Sequence, residues 1–136
     1  MATKKILVAD DNRVSRELIR EVLENSSQKV LEAENGEEAI EMIASEKPDV
    51  VLLDIQMPIF DGYEVLRRIR NNPRFCDIPF VALTAYAMKE DRERALASGF
   101  NAYFTKPIDA SSLRIRIKQM LHAGSDSQRK FSEEKA

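Results

Sequence analysis

The sequence predicts an α/β domain: a doubly wound parallel sheet with helices on both faces. Three observations predict it. Short apolar runs alternate five times with longer amphipathic segments, several of the runs carry no polar face, and all five prolines fall between the elements. Right-handed crossovers follow from that order.

The first run is KILVA (5–9). Asn12 then offers a side-chain oxygen to cap a helix striped by Val14, Leu18, Val22 and Leu23. The second run, VLEA (30–33), leads through the cap Asn35 to a helix seated on Ala39, Ile40 and Ile43. VVLL (50–53) is the most apolar run and precedes a helix carrying Val65, Leu66 and Ile69. FVAL (80–83) is followed by a helix with Ala95 and Leu96, ended by Gly99 where a left-handed residue is wanted. AYFT (102–105) is the last run; Asp109 caps a helix striped by Leu113, Ile117, Met120 and Leu121. Pro48, Pro58, Pro73, Pro79 and Pro107 sit where a missing N–H costs nothing. From Ala123 the chain is polar without periodicity, so residues 123–136 are expected to form a flexible tail.

Composition bounds the function. A chain of 136 residues suits one domain with a full core. With 43% hydrophobic and 32% charged residues it reads as globular, and no apolar run approaches the roughly 20 residues that cross a bilayer. The N-terminal apolar stretch is short and runs into two acids, which suits a buried strand better than a signal peptide. Cys76 is the sole cysteine, so no intrachain disulfide or thiolate cluster is available. A net charge of −2 argues against nucleic-acid binding. A cytoplasmic setting without membrane contact is the expectation.

The chemistry lies in what ends each run. Asp10 and Asp11 end the first, Asp54 the third, Thr84 the fourth and Lys106 the fifth. In a parallel sheet these ends share one edge, the edge where open α/β sheets bind ligands. An Asp after one strand is an ordinary turn residue; four such coincidences are not. Two carboxylates about 4 Å apart repel by roughly 4 kcal/mol at an effective dielectric of 20, so three together call for protons or a cation. All-oxygen ligands favour Mg²⁺ or Ca²⁺. Lys106 and Thr84 add a cation and a hydroxyl, the groups needed to hold a phosphoryl group. Asp54, at the end of a central strand, is the best-placed nucleophile, with Asp10 and Asp11 as the metal-holding pair. His122, the only histidine, falls in the last helical turn and is expected to face solvent.

ILVADDN (6–12), VVLLDIQMPIFDGYEVL (50–66), FVALTAYA (80–87) and AYFTKPI (102–108) together resemble a response-regulator receiver of two-component signalling. The similarity runs from about Lys4 to His122, which makes residues 1–122 the receiver unit. The resemblance implies a flavodoxin-like five-stranded sheet in the order 2-1-3-4-5. It implies that Asp54 accepts a phosphoryl group from a sensor histidine kinase or a histidine phosphotransfer protein. It assigns Mg²⁺, with Mn²⁺ able to substitute, to Asp11, Asp54 and the backbone carbonyl of Gln56, with Asp10 acting through water. Lys106, Thr84 and Ala85 become phosphate-binding residues, Thr84 and Tyr103 a switch pair, and the surface of the last two helices a docking face for a protein target. Such a domain assists its own phosphorylation and dephosphorylation without turning over a separate substrate.

Three other readings are weaker. An aspartyl-phosphate phosphatase would place a second acid two residues after the nucleophile, where this chain has Gln56. A nucleotide-binding loop is missing, with four glycines in all and neither G-x-x-x-x-G-K-[ST] nor G-x-G-x-x-G. The receiver of a longer hybrid kinase or multidomain regulator would carry the same motifs. KEDRER (89–94) and the basic residues Arg114, Arg116 and Lys118 are expected on solvated helix faces, and Met57 and Pro58 are expected to shape the turn after Asp54.

Overall fold

The computed structural model describes residues 3–85 and 88–122; the predicted tail lies outside them. Strands β1 (Lys4–Ala9), β2 (Gln28–Ala33), β3 (Val50–Asp54), β4 (Phe80–Thr84) and β5 (Ala102–Thr105) alternate with helices α1 (Arg13–Leu23), α2 (Gly36–Glu46), α3 (Gly62–Arg70), α4 (Lys89–Ala97) and α5 (Ala110–His122). All pairings are parallel and the order is β2-β1-β3-β4-β5, so the expected doubly wound sheet is present.

Alternation along the strands builds two cores. Leu7, Val51, Leu53, Phe80 and Ala82 face one way and meet Ala39 and Ile43 of α2, Val65, Leu66 and Ile69 of α3, and Ala95 of α4. Ile6, Val8, Leu52, Val81 and Leu83 face the other way and meet Ile19 and Leu23 of α1 and Leu113, Ile117, Met120 and Leu121 of α5. Each fully buried aliphatic side chain stabilises the fold by about 1.5–3 kcal/mol. Truncating Leu52, which has no exposed surface, to Ala would cost about 2–5 kcal/mol.

The caps form as expected. Asn12, Asn35 and Asp109 accept N–H bonds from Ser15, Glu38 and Ser112. Asp61 caps α3 in the same way, bonding Glu64. Gly99 follows α4 with φ of 114°, a conformation that favours glycine.

Two helix seats differ from expectation. On α1, Leu23 is buried and Val22 packs partly buried on the core as expected, but Val14 and Leu18 are 70% and 49% exposed, and Arg16 and Ile19 are buried instead. The two candidate stripes have the same helical spacing. The face that packs buries Ile19 and Leu23 and lets the Arg16 guanidinium find oxygen partners beneath the helix. On α4, Leu96 is 40% exposed and Ala95 alone is buried, which leaves that helix lightly seated.

Candidate phosphoacceptor site

Strand register carries the site residues to one rim. Ala9 lies opposite Leu53, Asp54 opposite Leu83 and Thr84 opposite Thr105. One further backbone bond continues the ladder beyond each strand: Asp10 N–H to Ala33 O, Ile55 N–H to Leu83 O and Lys106 N–H to Thr84 O. Asp10, Asp11, Asp54, Thr84 and Lys106 therefore gather as predicted, held by sheet geometry.

Asp10 has no exposed surface and Asp54 only 6%. Lys106 Nζ lies 2.7 Å from Asp10 Oδ2 and 2.8 Å from Asp54 Oδ2, so one ammonium bridges two buried carboxylates. Its contact with Asp10 is an ion pair without an aligned hydrogen bond, and that buried oxygen has no other hydrogen-bond partner. The other oxygens are held by the chain: Asn12 N–H donates to Asp10 Oδ1 at 2.9 Å, and Gln56 N–H to Asp54 Oδ1 at 2.8 Å. Asp11 and the Gln56 side chain are exposed, and Ala85 lies open to solvent beside buried Thr84.

Electrostatics follow from this packing. Burial, reinforced by the charge of Asp10, raises the Asp54 carboxyl above its usual value, against the bonds from Lys106 and Gln56. Burial alone would lower Lys106, but its contacts with Asp10 and Asp54 outweigh that and raise it. Tyr103 is half-buried; burial raises its phenol, which interacts with the side chains of Thr84 and Thr105.

Oxygens of Asp10, Asp11 and Asp54 lie within 4.8 Å of one another. An all-carboxylate set with two buried members suits a hard, oxygen-seeking divalent cation such as Mg²⁺. Gly62 keeps this edge compact: its N–H bonds Ile55 O at 2.8 Å, and a Cβ there would lie 2.9 Å from the Asp54 carbonyl oxygen.

The family model for the response regulator receiver domain matches residues 6–118. The chain belongs to that family. An uncharacterized 14.6 kDa protein of Leptolyngbya boryana is 44% identical over 119 residues, covering 88% of this chain and 90% of the relative. The polar-differentiation response regulator DivK of Brucella anthropi is 35% identical, covering 87% and 96%. Among solved structures, the receiver domain of Francisella response regulator 1452 superposes with a TM-score of 0.81 at 30% identity, covering 88% and 98%. The signal receiver domain of a histidine kinase from Syntrophus aciditrophicus does so at 0.82 and 27%, covering 91% and 94%. This receiver is thus a signalling switch of the two-component class whose acidic rim is compatible with Mg²⁺ and aspartyl phosphorylation. No helix among the described residues is long and apolar enough to cross a membrane.

Sequence reasoning passed over several contributors. Arg16 donates to the Asp10 carbonyl, Tyr63 and Phe100 stack edge-on at 5.9 Å, and Arg94 lies 4.2 Å over the Tyr63 ring. Arginines on amphipathic helices read as solvated, and nothing in the spacing distinguished these. Arg94 remains exposed, on the solvated face expected of KEDRER, while its guanidinium lies over the Tyr63 ring. Arg114 and Arg116 reach the carbonyls of Val22 and Asn101. Met57 is buried in the core, in keeping with a structural role, and His122 is exposed.

Proposed function

We propose that Asp54 is a phosphoacceptor charged by a histidine kinase or a histidine phosphotransfer protein. The observation that supports it best is a buried carboxylate that touches a lysine and is crowded by two further acids at the rim. An Asp54 oxygen attacks phosphorus, the P–N bond of the phosphohistidine breaks, and the imidazole leaves and takes up a proton. Mg²⁺, held by Asp11, Asp54 and the Gln56 carbonyl with Asp10 acting through water, would supply charge neutralisation for the phosphoryl oxygens. Lys106 pairs with a phosphoryl oxygen, and the small Ala85 leaves the mouth open to the donor.

Thr84 then donates its hydroxyl to a phosphoryl oxygen, and Tyr103 follows the space it leaves. Such a charge-assisted bond is worth about 1.5–3 kcal/mol, enough to shift populations tenfold or more without locking them. The readout is altered affinity for a protein target at α4 and α5, where Met88, Leu96 and Ile115 are exposed apolar residues. Incubation with a small-molecule phosphodonor and Mg²⁺ should add one alkali-labile phosphoryl group, lost in Asp54→Asn. Labelling elsewhere, or unchanged labelling of the variant, overturns the assignment. For the switch, phosphorylated Thr84→Ala should lose the Tyr103 response and the affinity change; retention of both rejects the coupling.

A further inference from the structure

Arg16 is a buried charge that the phosphoacceptor chemistry does not use. It is 9% exposed, on the first turns of α1. Its NH1 donates to the backbone carbonyl of Asp10 at 2.7 Å, wholly inside the protein, and its Nε to Glu32 Oε1 at 3.1 Å. Glu32 is also held by Arg20 at 2.6 Å, and Arg20 reaches the Val30 carbonyl. The guanidinium is thereby fixed from β2 and presented to one peptide group.

That peptide joins Asp10 to Asp11. With this bond Asp10 is held at its N–H by Ala33, at its carbonyl by Arg16, at Oδ1 by Asn12 and at Oδ2 by Lys106. Asp11 is different. It is exposed, its side chain has no hydrogen bond among the described residues, and its direction depends on the peptide plane before it. We propose that Arg16 is a positioning residue, orienting the Asp10–Asp11 peptide so that the Asp11 carboxylate faces Asp54 and a divalent cation binds between them. The proposal rests on the cation site described above and adds the residue that sets its geometry.

Its sign separates it from the two simplest rivals. Arg16 is a cation near three carboxylates, so its removal on electrostatic grounds alone should tighten Mg²⁺ binding. A residue that only stabilises the fold should leave the affinity of folded protein unchanged. Positioning predicts weaker binding despite the added negative potential.

The test is calorimetric titration of the whole chain with Mg²⁺ alone, beside amide spectra of Asp11 and Asn12. Arg16→Met keeps an unbranched apolar stem but removes the donors. It should bind Mg²⁺ at least fivefold more weakly than wild type, with Asp11 and Asn12 amides displaced before metal is added. Arg16→Lys, which keeps one donor, should recover at least half of the lost affinity on a logarithmic scale. Equal or tighter binding by folded Arg16→Met overturns the proposal, as does a Lys variant no better than Met. If Arg16→Met does not fold, Arg16→Gln takes its place; failure of both to fold assigns Arg16 to stability and rejects positioning. Absence of Mg²⁺ binding in wild type would instead reject the cation site itself.

Discussion

Asp54→Asn is expected to stabilise the metal-free protein. Asp54 shares a space no wider than 4.8 Å with the carboxylates of Asp10 and Asp11. At that separation and an effective dielectric of 20, two charges repel by about 3.5 kcal/mol. Opposing this is the contact with Lys106 at 2.8 Å, a charge-assisted bond of about 1.5–3 kcal/mol. Part of that bond survives, since Lys106 also touches Asp10 and an amide oxygen still accepts. The balance favours the variant by about 1–2 kcal/mol. Burial holds the Asp54 carboxyl above its ordinary value, so the folded state binds that proton more tightly than the unfolded chain does. The stability this contributes is present in acid and lost as pH rises through the folded pKa. The advantage of Asn should therefore vanish in acid and open toward neutrality. Urea unfolding in EDTA, in acid and at pH 7, measures it. Mg²⁺ at a hundredfold its Kd should then stabilise wild type by about 2.7 kcal/mol and the variant far less. A variant less stable than wild type at pH 7 without metal would show that the lysine contact outweighs the repulsion, and the account of a strained acid rim would be wrong.

Two further outcomes are expected. Asp11→Ala, which removes an exposed member of the cluster, should leave the metal-free protein at least as stable as wild type by urea unfolding, yet slow phosphoryl uptake at limiting Mg²⁺. Gly62→Ala presses a Cβ against the Asp54 carbonyl oxygen and Ile55 Cα, both at 2.9 Å. It should destabilise by about 1–3 kcal/mol in urea unfolding and reduce phosphodonor labelling.

The sheet and the convergence of the acids were legible in sequence for one reason: both depend on strand ends. A fully apolar run such as Val50–Leu53 admits few placements other than a central parallel strand, and whatever follows it must lie on the ligand edge. The helix seats were less legible. Of the stripe Val14, Leu18, Val22 and Leu23, the C-terminal pair packs on the core while Val14 and Leu18 face solvent, and Ile19 and Arg16 are buried in their place, Arg16 bonding the backbone oxygen of Asp10 beneath α1. Pattern reading assigns arginine to water, so it misplaced the first half of the stripe and kept the second. Arg94 shows that an exposed arginine can still make a contact that spacing does not reveal, its guanidinium lying over the Tyr63 ring.

One position sets sequence against backbone. Ile59 has φ of 71°, and Phe60 N–H bonds Pro58 O at 2.9 Å, closing a strained three-residue turn around it. A left-handed conformation costs a branched residue about 1–2 kcal/mol, while Ile59 is 63% exposed and recovers little by burial. Ile59→Gly removes that strain but loosens the unfolded chain by about 0.4–1 kcal/mol, leaving a net stabilisation of about 0.5–1 kcal/mol. The turn lies three residues beyond Gln56, whose N–H holds Asp54 Oδ1 independently, and Gly62 N–H anchors the far end to Ile55. Phosphoryl uptake from a small donor should therefore stay within twofold of wild type while urea stability rises. A stabilised variant with strongly altered uptake would show that the strain is transmitted to the acceptor. A destabilised one would show that the exposed isoleucine contributes contacts greater than its conformational cost.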